Sequence, residues 1–137
     1  MTLDESEPVK QFAMRLPILP KGQGRPRFDP RSGRAYTPPT TRAYADVIKS
    51  AALLQWGDEP ALEGPVTISV VAQFAIPKTA KGRKHHVQKP DASNILKAVE
   101  DALNGIVFKD DSQIVSARVR KEWALEHSLH ITVWSVE

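Results

Sequence analysis

Residues 89–105 read Lys89-Pro90-Asp91-Ala92-Ser93-Asn94-Ile95-Leu96-Lys97-Ala98-Val99-Glu100-Asp101-Ala102-Leu103-Asn104-Gly105, and Lys109-Asp110-Asp111-Ser112-Gln113 follows closely. This stretch predicts a helix with a marked start and a marked stop. Pro90 disfavours helical geometry in the residue before it. Asp91 can cap the first free N–H groups, and its charge suits the positive end of the helix dipole. Gly105 suits a left-handed stop. Ile95, Val99, Ala102, Leu103 and Ile106 recur at helical spacing and predict the buried stripe. Asn94, Lys97, Asp101 and Asn104 share the opposite side. An ordinary solvent face would also be polar. What distinguishes this one is Asp91 at one end and an Asp-Asp pair beyond the other. If the following strand doubles back, Asp110 or Asp111 comes near Asp91, making a nest of carboxylates with one ammonium.

The rest of the chain supplies a scaffold. Residues 1–8 read as frayed. Phe12, Met14, Leu16 and Ile18 alternate with polar residues and predict a strand, which Pro17 and Pro20 end or confine to an edge. Residues 20–39 are rich in glycine and proline and predict a long loop without regular structure. Thr40 or Thr41 then caps a helix with the stripe Tyr44, Val47, Ile48, Ala51 and Leu54, ended by Gly57. Residues 65–76 are the clearest strand, and its partly apolar second face predicts a central place in the sheet. Residues 77–90 are a second loop. Strands follow over 112–123, with Val115, Ala117, Val119 and Trp123 on one face, and over 129–136. Their short link predicts a hairpin. The expected fold is α/β (α+β): a single domain over 1–137, in the order β-α-β-α-β-β, with a mixed sheet of about four strands and two helices.

With 137 residues, 41% hydrophobic and 26% charged, the chain can build one core. It has no long apolar run for a membrane span, and its acidic start is unlike a signal peptide, so cytoplasmic residence is the expectation. Without cysteine there is no disulfide framework and no thiolate chemistry. The net charge of +3 is modest, but its distribution is uneven. Lys21, Arg25, Arg27, Arg31 and Arg34 crowd the first loop against Asp29. Lys78, Lys81, Arg83, Lys84 and Lys89 crowd the second with no acid, beside His85 and His86. Two basic loops on a balanced domain point to a polyanion, though solvated loops would read the same. Phe28 and Tyr36 among the arginines suit contact with nucleic acid, or pin the loop to the body.

Clustered aspartates repel, and a divalent cation is one reason for them to stay ionised. Magnesium prefers oxygen donors and keeps several waters. Near a phosphodiester it can polarise the phosphoryl group and help form a hydroxide, while Lys97 stabilises developing charge. These features together point to metal-dependent cleavage of DNA or RNA. Each has a plainer reading: Asp91 as a cap, Asp110-Asp111 as a polar turn, Lys97 as a solvated lysine. Adjacent histidines such as His85-His86 in a basic loop seldom bind metal. A nucleic-acid-binding module without catalysis is the next reading.

The stretch from Lys89 through Gly105, with Lys109-Asp110-Asp111-Ser112-Gln113 after it, resembles the RusA family of Holliday-junction resolvases. Gly24-Arg25-Pro26-Arg27-Phe28, Tyr36-Thr37-Pro38 and Thr41-Arg42 are similar to the phage-borne members. The resemblance implies a homodimeric, magnesium-dependent endonuclease (Mn2+ being an alternative) that places paired nicks in four-way DNA junctions, in recombination and repair, in a bacterial host or from a phage or prophage. It implies Asp91 and Asp111 as metal-site and catalytic residues, Asp110 as a further acidic ligand and Lys97 as the catalytic cation. Arg25, Arg27, Lys81, Arg83, Lys84 and Lys89 are the DNA-contact candidates. One position departs: the family pattern Asp-x-Asp-Asn has Ser93 in place of its second aspartate. Ser93, Asn94 and Asp101 become candidates for supporting roles around the metal. Two alternatives follow, a catalytically weak branched-DNA-binding protein and a nuclease for flaps or forks.

Overall fold

The computed structural model describes residues 11–23, 27–77 and 85–136. Its elements are β1 (Gln11–Leu16), β2 (Arg27–Asp29), β3 (Arg34–Tyr36), α1 (Pro39–Trp56), β4 (Val66–Ala75), α2 (Ala92–Leu103), β5 (Ile114–Ala124) and β6 (Ser128–Ser135). The mixed α+β fold with two helices and a four-stranded sheet is as the sequence predicts. The sheet runs β1-β6-β4-β5, and β2-β3 form a separate small sheet.

Alternation places β4 at the centre. Val66, Ile68, Val70, Ala72 and Phe74 are buried, and the intervening residues are half-buried. Apolar area removed from water is the main stabilising term, roughly 1.5–3 kcal/mol for each large side chain. The second face of β4 is half-buried as well, the pattern of a strand paired on both edges. β5 lies parallel to it, with Val70 opposite Val119 and Phe74 opposite Trp123, and β6 lies antiparallel, with Val70 opposite Ile131. β1 pairs with β6 as an edge strand, and Pro17 follows at once where it ends. α2 supplies Ile95, Ala98, Val99, Ala102 and Leu103 to the core, and α1 supplies Tyr44, Ile48 and Ala52.

Four expectations are corrected. β5 and β6 are not a hairpin, because β4 lies between them. The helical crossover returns β5 parallel to β4, and the link at 125–127 spans the end of β4, where the Ala75 N–H donates to His127 Nδ1 at 3.0 Å. The loop at 20–39 does contain regular structure: β2 and β3 pair Arg27 with Tyr36 around a turn that Gly33 completes with positive φ. Helix α1 starts earlier than Thr40. Pro38 is its N-cap and Pro39 opens its first turn, where a missing N–H costs nothing. Its core stripe is the row Tyr44-Ile48-Ala52, and Val47 and Leu54 flank that row in solvent. Finally, Asp91 holds the N-cap position of α2 in extended geometry, but its side chain caps nothing. The backbone makes this start alone, through the Ile95 N–H donating to the Asp91 carbonyl. Residues 1–8, Arg25, Lys81, Arg83 and Lys84 lie outside the described residues.

Candidate functional site

Helix α2 carries the polar face the sequence isolates, and three tertiary contacts decide what that face meets. Segment 20–23 lies along the first turns of α2. The Gln23 N–H donates to the Asn94 carbonyl at 3.2 Å, and the Gln23 amide donates to Asp101 Oδ2 at 2.7 Å. The Lys21 N–H donates to the Tyr44 hydroxyl. The approach is close enough that only glycine fits at position 22, where a Cβ would stand 2.9 Å from that of Asn94.

Lys97 is the hub of the charged cluster. Its Nζ lies 3.1 Å from Asp101 Oδ1 and 3.7 Å from Asp111 Oδ2. The hydrogen bond to Asp101, then the Asp101, Asp111 and Glu100 charges, hold the ammonium above the usual lysine value. It therefore stays cationic throughout the neutral range. Glu100, half-buried on the same flank, is pushed up first by desolvation and then by Asp111 and Asp101, against the pull of Lys97. One ammonium thus sits among three carboxylates.

The two adjacent aspartates divide their work. Asp110 accepts from the Ser112 N–H and opens a single 3-10 turn over Asp111–Gln113. The Ser112 hydroxyl first, then the Ser112 and Asp111 N–H groups, favour its charged form and hold the carboxyl below the ordinary value. Gln113 completes the capping box and locks the turn to the chain before β4. Its side-chain Oε1 accepts from the Lys109 and Asp110 N–H groups, and its side-chain Nε2 donates to the Leu62 and Gly64 carbonyls. Asp111, seated by that turn, reaches Lys97.

At the other end of the face Asp91, Ser93 and Asn94 are exposed. The Asp91 carboxylate caps no N–H of the helix start. Beside it opens a cavity of about 690 Å³ between segment 19–23, Phe74 and residues 89–94, with Lys21 and Lys89 in its lining. Lys121 seats the approach to α2, its Nζ donating to the Gln88 and Pro90 carbonyls at 2.7 and 3.1 Å. His86 is packing rather than a ligand. It stacks on Phe74 at 3.9 Å and leans on Trp123 at 4.6 Å, and desolvation lowers its pKa. Arg27, Phe28 and Tyr36 are all exposed on the β2-β3 hairpin.

The structure therefore joins Lys97, Asp101 and Asp111, keeps Asp91 open, and commits one oxygen of Asp110 to a cap. Among the described residues no three histidine or carboxylate side chains converge as a metal cage. The oxygens offered are all hard but divided: the Asp91 carboxylate and Ser93 hydroxyl at the start of α2, and the Asp111 carboxylate beside Lys97. That set suits a cation that keeps much of its water, as magnesium does. Glu100, Gln23 and Lys121 are the participants that sequence reasoning missed. Two carried a signal: Glu100 lies three residues after Lys97 on the same helix flank, and Lys121 is an ionisable residue in the apolar register of Val119 and Trp123. Gln23 carried none, because its partner is 78 residues away.

Residues 17–134 match a family described as endodeoxyribonuclease RusA. A protein of Bacillus subtilis (strain 168), named as uncharacterized protein YqaN, is 31% identical over 129 residues, which covers 85% of this chain and 91% of the relative. Among the described residues no helix is long and apolar enough to cross a membrane.

Proposed function

The chain belongs to the RusA endodeoxyribonuclease family, and from that premise we propose that it is a magnesium-dependent, structure-specific nuclease that resolves four-way DNA junctions by paired nicks. The observation that carries this reading is the Asp91 carboxylate, left uncapped at a helix start where a capping bond is the ordinary outcome. Asp91 and Asp111 would hold the ion, with the Ser93 hydroxyl beside Asp91 for one of its waters and Asp110 as a further acidic neighbour. Bound there, magnesium would supply polarisation of the phosphoryl group and an activated water.

The chain's own residues do the rest. Lys97, kept charged by Asp101 and Asp111, faces the charge that develops on the phosphate and the leaving oxygen. Asp101 and Gln23 hold it in place. Lys89 and Arg27, with Arg25, Lys81, Arg83 and Lys84 in the basic loops, grip the backbone by charge, which makes binding salt-dependent. Symmetric nicking of a four-way junction needs two equivalent sites, which a two-fold homodimer supplies.

Ser93 and the lack of a three-carboxylate cluster among the described residues favour a second reading, a junction-binding protein that cuts slowly. A labelled synthetic four-way junction, incubated with magnesium or chelator beside a linear duplex of the same sequence, separates the two. Symmetric, magnesium-dependent nicks in the junction alone support the resolvase. Tight binding without nicks supports the slow binder. Cleavage of flaps or forks in preference to the junction moves the substrate. Asp91→Asn removes a ligand and a negative charge near the phosphate, so nicking should be abolished while junction binding is kept or strengthened. Full activity in that variant overturns the site.

A further inference from the structure

The cavity beside Asp91 has a property that phosphate binding leaves unused: much of its wall is apolar. Leu19, Pro20, Phe74 and Pro90 line it, and its volume is about 690 Å³. That lies within the range of pockets that take small organic ligands, about 300–1,000 Å³. Phosphate and sugar gain little from such walls. A nucleobase gains from them, because every base has a face that stacks on apolar and aromatic side chains. Asn94 lines the same cavity. Its backbone carbonyl is engaged by Gln23, while its side-chain amide has no partner among the described residues. An amide sets a donor beside an acceptor, the pattern that reads a base edge. Lys21 and Lys89, both exposed, complete the lining with cations for the flanking phosphates.

We propose that this cavity takes one unstacked nucleobase of the strand whose phosphate lies at Asp91, and that Asn94 reads its edge, so that the pocket sets the sequence preference of the cut. The inference rests on the nuclease reading above and adds a subsite to it. Extruding a base is cheapest where stacking is already broken, and a branch point is such a place. The pocket thereby couples recognition of the branch to recognition of a base.

The test uses the full chain carrying Asp91→Asn and junctions bearing 2-aminopurine at each position flanking the branch in turn. One position should brighten several-fold on binding, and Leu19→Trp, which fills the cavity from an exposed site, should abolish that signal while junction affinity stays within about threefold. In cleavage by the otherwise unaltered chain, junctions randomised around the branch should show roughly tenfold to hundredfold discrimination at that position, the range of one good base contact. Asn94→Ala should flatten it. Should Leu19→Trp not fold, Asn94→Ala read in the same nick map decides the matter. Junction binding with no brightening at any position, or a preference that survives both substitutions, overturns the pocket and leaves the nuclease reading standing. Absence of junction binding by the full chain overturns both.

Discussion

Gly22→Ala is the sharpest perturbation of the arrangement, because its sign depends on one contact. Gly22 is absent from the glycines with positive φ, so its backbone accepts alanine. At a site with free space, such a change stabilises by about 0.4–1 kcal/mol through the unfolded chain. Here the new Cβ would lie 2.9 Å from Asn94 Cβ and 3.4 Å from Pro90 Cβ, and ordinary contact begins at 3.4 Å. Segment 20–23 must therefore withdraw from α2 by about 0.5 Å, the difference between 3.4 and 2.9 Å. The Gln23 N–H to Asn94 carbonyl bond, already 3.2 Å, then stretches to about 3.7 Å, beyond hydrogen-bonding range. Its loss, together with strain on the Gln23–Asp101 bond, costs about 1–3 kcal/mol. For a domain of this size the Tm should fall by about 3–10 °C. Thermal unfolding followed by circular dichroism measures this. In an Asn94→Gly background, which removes the opposing Cβ, the same substitution should cost distinctly less. An unchanged or raised Tm for Gly22→Ala would refute the close approach and the clamp built on it.

Three further outcomes follow from the site. Asp101→Asn removes a solvent-exposed ion pair worth under about 1 kcal/mol, yet frees the Lys97 ammonium. Single-turnover nicking should slow by roughly tenfold to a hundredfold, as for a misplaced catalytic group, at unchanged junction affinity, and an unchanged rate would deny Asp101 and Gln23 a positioning role. Ser93→Asp restores a negative oxygen donor beside Asp91, so magnesium-dependent nicking should be kept or raised in the junction assay; a large loss would mean a different ligand arrangement. The folded-state pKa of His86 is lowered, so its contribution to stability is present above the ordinary value of 6.5 and is lost as the pH falls through the lowered value. Urea midpoints at pH 7.5 and pH 5 should drop more in the unaltered protein than in His86→Phe, which keeps the stack with Phe74 and Trp123. Equal drops would remove His86 from the acid limb.

How legible each part was depends on the range of the interaction behind it. The strand β4, the helix α2 and its stop at Gly105 rest on periodicity and local backbone preference, and both act within a few residues. The placement of β6 and β5 on either side of β4 rests on which edges remain open after the crossover through α2, which no local pattern records. The hairpin β2-β3 was hidden because three-residue strands carry too little alternation to stand out among glycine and proline.

For the site, the residue types and their helical spacing are enough to put Asn94, Lys97 and Asp101 on one face and to mark Asp91 and Asp111 as unusual. Both follow from chain chemistry alone. The division of the Asp-Asp pair, with Asp110 bound to its own turn and Asp111 turned to Lys97, comes from Gln113 tying that turn to Leu62 and Gly64. The clamp of Gln23 on Asp101 and the cavity beside Asp91 join residues far apart in the chain. Such contacts exist only when the core has fixed the distance between α2 and segment 19–23, so tertiary structure alone decides them.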